Sequence, residues 1–195
     1  MITKISEVEF AMLNLFTQGY DKELYLREIE KHVPYSFRTV QVVMNRLEEK
    51  RVLKSKTKGK IKLYCIEENS LAKEYFILTE QYKRIQFFEK NPLIREVFDQ
   101  IQDSISGICI LFGSYVKGLE KEESDLDVFV VGSYDEKKVI EIGINYGFSI
   151  SIKSYPKKIF DMKIHDDILL KEVVKNHIIV AGNEGFMGVV KKWTN

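Results

Sequence analysis

Apolar positions recur along this chain with a helical period first and a strand period later. Ser6-Glu7-Val8-Glu9 has the form of a capping box, with Ser6 bonding forward and Glu9 reaching back. It predicts a helix with Val8, Met12, Leu15 and Phe16 on one stripe, ending near Gly19. A second short helix follows, with Leu26, Ile29 and Val33 at spacings of three and four, stopped by Pro34. The third begins at Ser36 and buries Val40, Val43, Met44 and Leu47. At 100° per residue, its opposite face carries Arg38, Val42 and Asn45, flanked by Gln41 and Arg46. Val52 to Ile66 then reads as two strands around Lys56-Thr57-Lys58-Gly59-Lys60, with Ile61, Leu63 and Cys65 expected to alternate inward. Residues 70–90 contain no Gly or Pro and predict a long helix, with Leu71, Tyr75, Leu78, Tyr82 and Ile85 at alternating spacings of four and three. Pro92 opens another, with Leu93, Ile94, Val97, Phe98 and Ile101 as its apolar side.

From Ile105 the period changes. Ile105 to Phe112 is a near-continuous apolar run, the mark of a strand covered on both faces. It delivers Gly113-Ser114 into a turn and a short helix around Tyr115-Val116-Lys117-Gly118. Asp125-Leu126-Asp127 then leads into a second strand, Val128-Phe129-Val130-Val131. Asp125 and Asp127 stand two apart on an extended segment, so both carboxylates are expected on one face. Two hard oxygen ligands suit Mg²⁺ when water and phosphate oxygens complete its octahedron. A Gly-Ser turn beside them offers backbone N–H groups and a hydroxyl to the same phosphates.

Charge and composition sharpen the division. The 195 residues are 45% hydrophobic and 30% charged, with 3 Pro and 11 Gly, which excludes a disordered or collagen-like chain. The net charge is only +1, which by itself points to no polyanionic partner. Residues 1–68 carry 13 Lys/Arg against 10 Asp/Glu, whereas 69–195 carry 17 against 19. Arg46 to Lys62 alone holds eight basic and two acidic residues. Such asymmetry suggests two jobs in one chain. Cys65 and Cys109 sit in apolar runs and read as reduced core thiols; two alone cannot form a zinc site. No segment reaches about 18 consecutive apolar residues and no basic-then-apolar leader opens the chain. A cytoplasmic protein without a membrane segment is therefore expected.

Three short helices followed by a basic hairpin resemble the winged helix-turn-helix domains of small bacterial and archaeal regulators, over about residues 3–68. That resemblance implies double-stranded DNA as partner. The third helix would enter the major groove with Arg38, Gln41, Asn45 and Arg46, and Lys56, Lys58, Lys60 and Lys62 would lie on phosphates. A winged helix used for protein contact is the alternative. The segment Leu111-Phe112-Gly113-Ser114…Ser124-Asp125-Leu126-Asp127-Val128 resembles the signature of the polymerase β-like nucleotidyltransferase superfamily, especially its minimal, antitoxin-type members.

The second resemblance covers about residues 92–195. It implies an α/β fold with a small mixed sheet, a nucleoside triphosphate with Mg²⁺ at Asp125 and Asp127, and Gly113, Ser114 and Lys117 toward the triphosphate. Family enzymes add a third carboxylate from a later strand. Here that strand, Phe148 to Tyr155, directs Phe148, Ile150 and Ile152 to the core and offers Ser149, Ser151 and Lys153 instead. Asp161 and Glu141 are the reserve candidates. His32, His165 and His177 fall in separate elements and read as surface or strand-edge residues.

The expected chain is thus α+β. It has a winged helix-turn-helix at 1–68, a linking helix at 69–91 that supports a homodimer through Leu71, Leu78 and Ile85, and a nucleotidyltransferase fold at 92–195. Two functions follow. One is Mg²⁺-dependent nucleotidyl transfer to an unknown acceptor. The other is a DNA-binding regulator, or an antitoxin to a partner toxin, whose nucleotidyltransferase domain has lost catalysis.

Overall fold

The structure, a computed structural model, describes residues 5–194. Residues 1–4 and 195, which fall in the expected first and third segments, lie outside the described residues. The chain forms two compact units, Met1–Thr79 with Lys191–Asn195, and Glu80–Val190.

The first unit opens with α1 (Glu7–Thr17), α2 (Leu26–His32) and α3 (Phe37–Glu49). The capping box is present: Ser6 N donates to Glu9 Oε2 at 2.9 Å, and Glu9 N donates to Ser6 Oγ at 3.4 Å. Its consequence differs from the expected stripe. The buried side of α1 is Glu9, Met12, Leu13 and Phe16, while Val8 and Leu15 stay half-buried. Glu9 can be carried inward because Lys50 Nζ sits 2.7 Å from its Oε1. α3 follows the expectation, with Ser36 accepting from Thr39 N and Val40, Val43, Met44 and Leu47 inside.

A hairpin of β1 (Leu53–Lys58) and β2 (Ile61–Ile66) follows, turning at Gly59 with φ +63°. Its inward face is opposite to the one expected. Leu53, Tyr64 and Ile66 are buried, Leu63 and Cys65 are half-buried, and Ile61 is 51% exposed. Tyr64 sets the register. It exchanges both backbone hydrogen bonds with Leu24, at 2.9 and 2.8 Å, and its hydroxyl donates to Asn45 Oδ1 at 2.9 Å. A period-2 segment offset by one residue turns every side chain over. The last described residues return to this unit, where Thr194 N donates to Glu68 O and Lys191 pairs with Asp21.

α4 spans Ser70–Lys90 as expected, and the division between the units falls within it. Its buried side is Ala72, Tyr75, Phe76 and Ile77, then Thr79 and Glu80. Leu71, Leu78 and Ile85, the expected contact positions, are all exposed.

The second unit continues with α5 (Pro92–Ile101) and a short 3-10 turn at Gln102–Ser104. Next come β3 (Ile105–Phe112), α6 (Ser114–Lys117), β4 (Leu126–Tyr134), α7 (Glu136–Asn145) and β5 (Ile150–Tyr155). α8 (Lys157–Lys163), α9 (Ile168–Lys175), β6 (Ile178–Ala181) and α10 (Asn183–Val190) complete it. The sheet order is β5-β4-β3-β6, with β4 and β5 parallel and the other pairs antiparallel. One face carries Cys109, Leu111, Leu126, Val128, Val130 and Ile178 against Ile94, Val97, Phe98 and Ile101 of α5 and Val139 of α7. Leu93, expected on that side of α5, is exposed. The other face stacks Phe129 on Phe160, and Phe160 on Phe186, at centroid distances of 6.2 and 6.3 Å. Phe148, Ile150 and Ile152 pack toward the first face, as expected.

His177 departs furthest from the sequence reading, being 2% exposed. Its Nδ1 is 2.8 Å from Val174 O, and its Nε2 is 3.1 Å from Glu80 Oε1. Lys83 Nζ lies 2.7 Å from the other Glu80 oxygen. Burial alone would raise the Glu80 carboxyl, but His177 and then Lys83 hold it at about 2. Burial lowers both Lys83 and His177.

Candidate functional site

β3 and β4 pair so that Phe112 lies opposite Asp127, which brings Gly113 under the aspartate. Gly113 has φ +79° and ψ −151°, a region that residues with a Cβ avoid. A Cβ built there would stand 1.9 Å from Asp127 Oδ2. The carboxylate therefore rests on the Gly113 backbone, and both the turn and the close approach require glycine. Ser114 begins α6 directly after it, and Lys117 ends that helix before Gly118 in the left-handed region.

The two expected aspartates differ in setting. Asp125 is exposed just before β4, whereas Asp127 is half-buried inside the strand. Burial pushes the Asp127 carboxyl up, and Asp125 and Glu172 push it further, while Lys117 and Lys153 pull it down. Asp125 also acts on Tyr115, whose phenol is raised by burial, Glu120 and Asp125. Since ionised Asp127 is disfavoured in the folded chain, stability falls as pH rises through its folded pKa. Asp127→Asn should accordingly raise the melting temperature of the ligand-free protein at pH 7, read by circular dichroism. An unchanged or lower value would contradict the crowding.

On β5, Ser151 lies opposite Asp127, and Lys153 lies opposite Phe129 on the same side. Ser149 precedes the strand, where its carbonyl accepts from Leu126 N at 2.8 Å. No β5 carboxylate faces the pair. Of the reserve candidates, Asp161 is paired with Lys157 at 3.1 Å, and Glu141 is exposed on α7.

The carboxylate missed in the sequence is Glu172. It reaches from α9 to Lys117, with Nζ to Oε1 at 2.7 Å, and its charge acts on Asp127. Nothing local marks it, since α9 buries Leu170 and Val173 and leaves Glu172 as one more polar residue of a short amphipathic helix. Among the described residues, no three His, Cys, Asp or Glu side chains are close enough together to hold a metal.

Residues 93–184 match the family model described as Polymerase beta, Nucleotidyltransferase. The second unit carries a nucleotidyltransferase domain. Gly113, Ser114, Lys117, Asp125, Asp127 and Glu172 all lie within the matched span of that domain. A curated protein of Methanocaldococcus jannaschii, whose name reads "Putative protein adenylyltransferase", is 38% identical over 60 residues. The match covers 29% of this chain and 60% of that relative. No solved structure matches the chain. No helix among the described residues is long and apolar enough to cross a membrane.

The expected nucleic-acid residues belong to the first unit. Arg38, Gln41, Val42, Asn45 and Arg46 form one exposed side of α3. Asn45 Oδ1 already accepts from Tyr64. Lys56 is paired with Glu23, and Lys62 with Glu48 at 2.5 Å, whereas Lys58 and Lys60 flank the turn glycine and are exposed.

Proposed function

We propose that the nucleotidyltransferase domain binds a nucleoside triphosphate with Mg²⁺, using Asp125 and Asp127 for the ion and Gly113, Ser114 and Lys117 for the phosphates. The observation that carries this reading is the Asp127 carboxylate seated on Gly113, with Asp125 two residues before it. When bound, the ion would neutralise phosphate charge and lower the barrier to attack at phosphorus. On this reading the chain's own residues seat the Asp127 carboxylate on Gly113, start α6 at Ser114 directly after it, and keep Lys117 near enough for its charge to act on Asp127. The acceptor we propose is a protein hydroxyl, a reading supported by the relative's name as a protein adenylyltransferase.

A second reading is favoured by one specific observation. Ser151 and Lys153 occupy the β5 positions on the Asp127 side, so the attacking hydroxyl lacks a base or ligand from that strand. On this reading the domain binds nucleotide but turns over feebly, and the chain is a DNA-binding regulator or an antitoxin acting on a toxin. Transfer from α-labelled ATP to the protein itself, to added proteins and to RNA ends separates the two. Metal-dependent labelling lost in Asp127→Ala supports the enzyme. No labelling by the unaltered chain, with gain in Ser151→Asp, supports the regulator.

The first unit we read as a winged helix on double-stranded DNA, within the division 1–68, 69–91 and 92–195. Support comes from the polar exposed side of α3 and the basic hairpin tip. Lys58→Ala or Lys60→Ala should each reduce the slope of log K against log[salt] by about 0.9, measured by fluorescence anisotropy. Lys56→Ala and Lys62→Ala should change it less, because Glu23 and Glu48 already neutralise them. No duplex binding above background at low salt would make this a protein-contact unit. The homodimer and the cytoplasmic location belong to the same proposal, the former supported by exposed Leu71, Leu78 and Ile85 at seven-residue intervals.

A further inference from the structure

Lys117 is not waiting free for a ligand. Its ammonium is bound to Glu172, 55 residues further along the chain, at 2.7 Å. Glu172 also adds its charge to the side of the sheet where Asp127 is already disfavoured as an anion. One carboxylate thus occupies the cation that sits nearest Gly113-Ser114 in the chain, and thickens the negative charge that a polyphosphate must approach.

We infer that Glu172 is a built-in competitor of the nucleotide for Lys117. The inference rests on the nucleotide reading above and adds to it a residue that sets affinity from outside the Asp pair. The Lys117 and Glu172 side chains are 31% and 50% exposed, so water screens their attraction and the pair is readily exchanged. A triphosphate presents several anionic oxygens at once and wins the ammonium by charge-assisted hydrogen bonds. Lys117 then swings to phosphate and Glu172 is released to solvent. The movement is one of side chains, because α9 itself is held. The Asp167 carboxylate accepts from Leu170 N at 3.1 Å and from the Tyr155 hydroxyl at 3.2 Å. At the other end, His177 Nδ1 bonds to Val174 O. The resting chain therefore binds nucleotide more weakly than its phosphate-facing residues allow, and a contact that drew Glu172 away would tighten it.

The test is Glu172→Gln, which keeps the shape and removes the charge, in titration calorimetry of the full chain with ATP and Mg²⁺. Affinity should rise about three- to tenfold at low salt, and the gain should shrink at 0.5 M NaCl as screening takes over. Lys117→Ala should weaken binding, and Glu172→Gln should lose most of its gain in that background, since the two residues act through one contact. Unchanged or weaker ATP binding by Glu172→Gln, with the unaltered chain binding normally, overturns the competitor role. Absence of ATP binding in both proteins overturns the nucleotide reading itself and this inference with it. A gain that survives intact in Lys117→Ala also overturns it, because Glu172 would then act by repulsion alone.

Discussion

Gly113→Ala should abolish nucleotide binding and cost the fold about 2–4 kcal/mol. The backbone at φ +79° and ψ −151° is nearly closed to alanine, at about 1–3 kcal/mol. The added methyl would also stand 1.9 Å from Asp127 Oδ2, so the carboxylate or the β3–β4 pairing must move. Either movement separates Asp127 from the Gly-Ser turn. Urea unfolding gives the stability and titration calorimetry with ATP and Mg²⁺ gives the binding. Gly118→Ala is the control. Gly118 also has positive φ, at +64°, but a Cβ there meets nothing within 4 Å, so stability should fall by about 1 kcal/mol with binding kept. Equal losses in the two variants would show that the close approach of Asp127 to Gly113 does not matter.

Glu80→Ala should destabilise the second unit by about 3–5 kcal/mol. It removes from a fully buried position the carboxylate that both His177 and Lys83 bond. The pH dependence follows from the same group. With its folded pKa held at about 2, below the unfolded value of 4.5, Glu80 contributes stability that is present above the unfolded value. That stability is lost as pH falls through the folded one. His177, whose pKa is lowered by burial, acts in the same direction: stability declines as pH drops below its ordinary value of 6.5, because the unfolded chain takes the proton more readily. Acid should therefore weaken the protein in two stages, and Glu80→Ala should shrink the lower one, to which Glu9, Glu48, Glu68 and Asp167, also held low by their partners, contribute as well. Denaturation midpoints in urea from pH 7 down to pH 3 read both effects. A Glu80→Ala variant within 1 kcal/mol of the parent would mean that the network is no anchor.

What was legible in the sequence depended on whether a residue's neighbours lay within its own element. α3 begins after its expected Ser36 cap and α4 spans its expected residues because capping, period and the absence of breakers are local signals. The approach of Gly113 to Asp127 was legible too, since two apolar strands joined by a short connection can bring those ends together. The hairpin face was not. Ile61, Leu63 and Cys65 looked like the inward set, but Tyr64 is claimed by Leu24 and Asn45, which lie in other elements. The α4 stripe misled for the same reason. Its buried side includes Glu80, on which His177 and Lys83 close, and His177 lies 97 residues away. Glu172 was invisible for want of any partner nearby in sequence. Long-range polar pairs decide these cases, and no period announces them.

Asp127, seated on Gly113, is proposed to hold a divalent ion with a nucleoside triphosphate. Titration calorimetry of the full chain with ATP tests it most directly, run with Mg²⁺, with EDTA, and with Asp127→Ala in place of the parent. Saturable binding is expected for the parent with Mg²⁺, none in EDTA, and none for Asp127→Ala at an unchanged or higher melting temperature. Binding that is indifferent to the ion, or that persists in a folded Asp127→Ala variant, would contradict it.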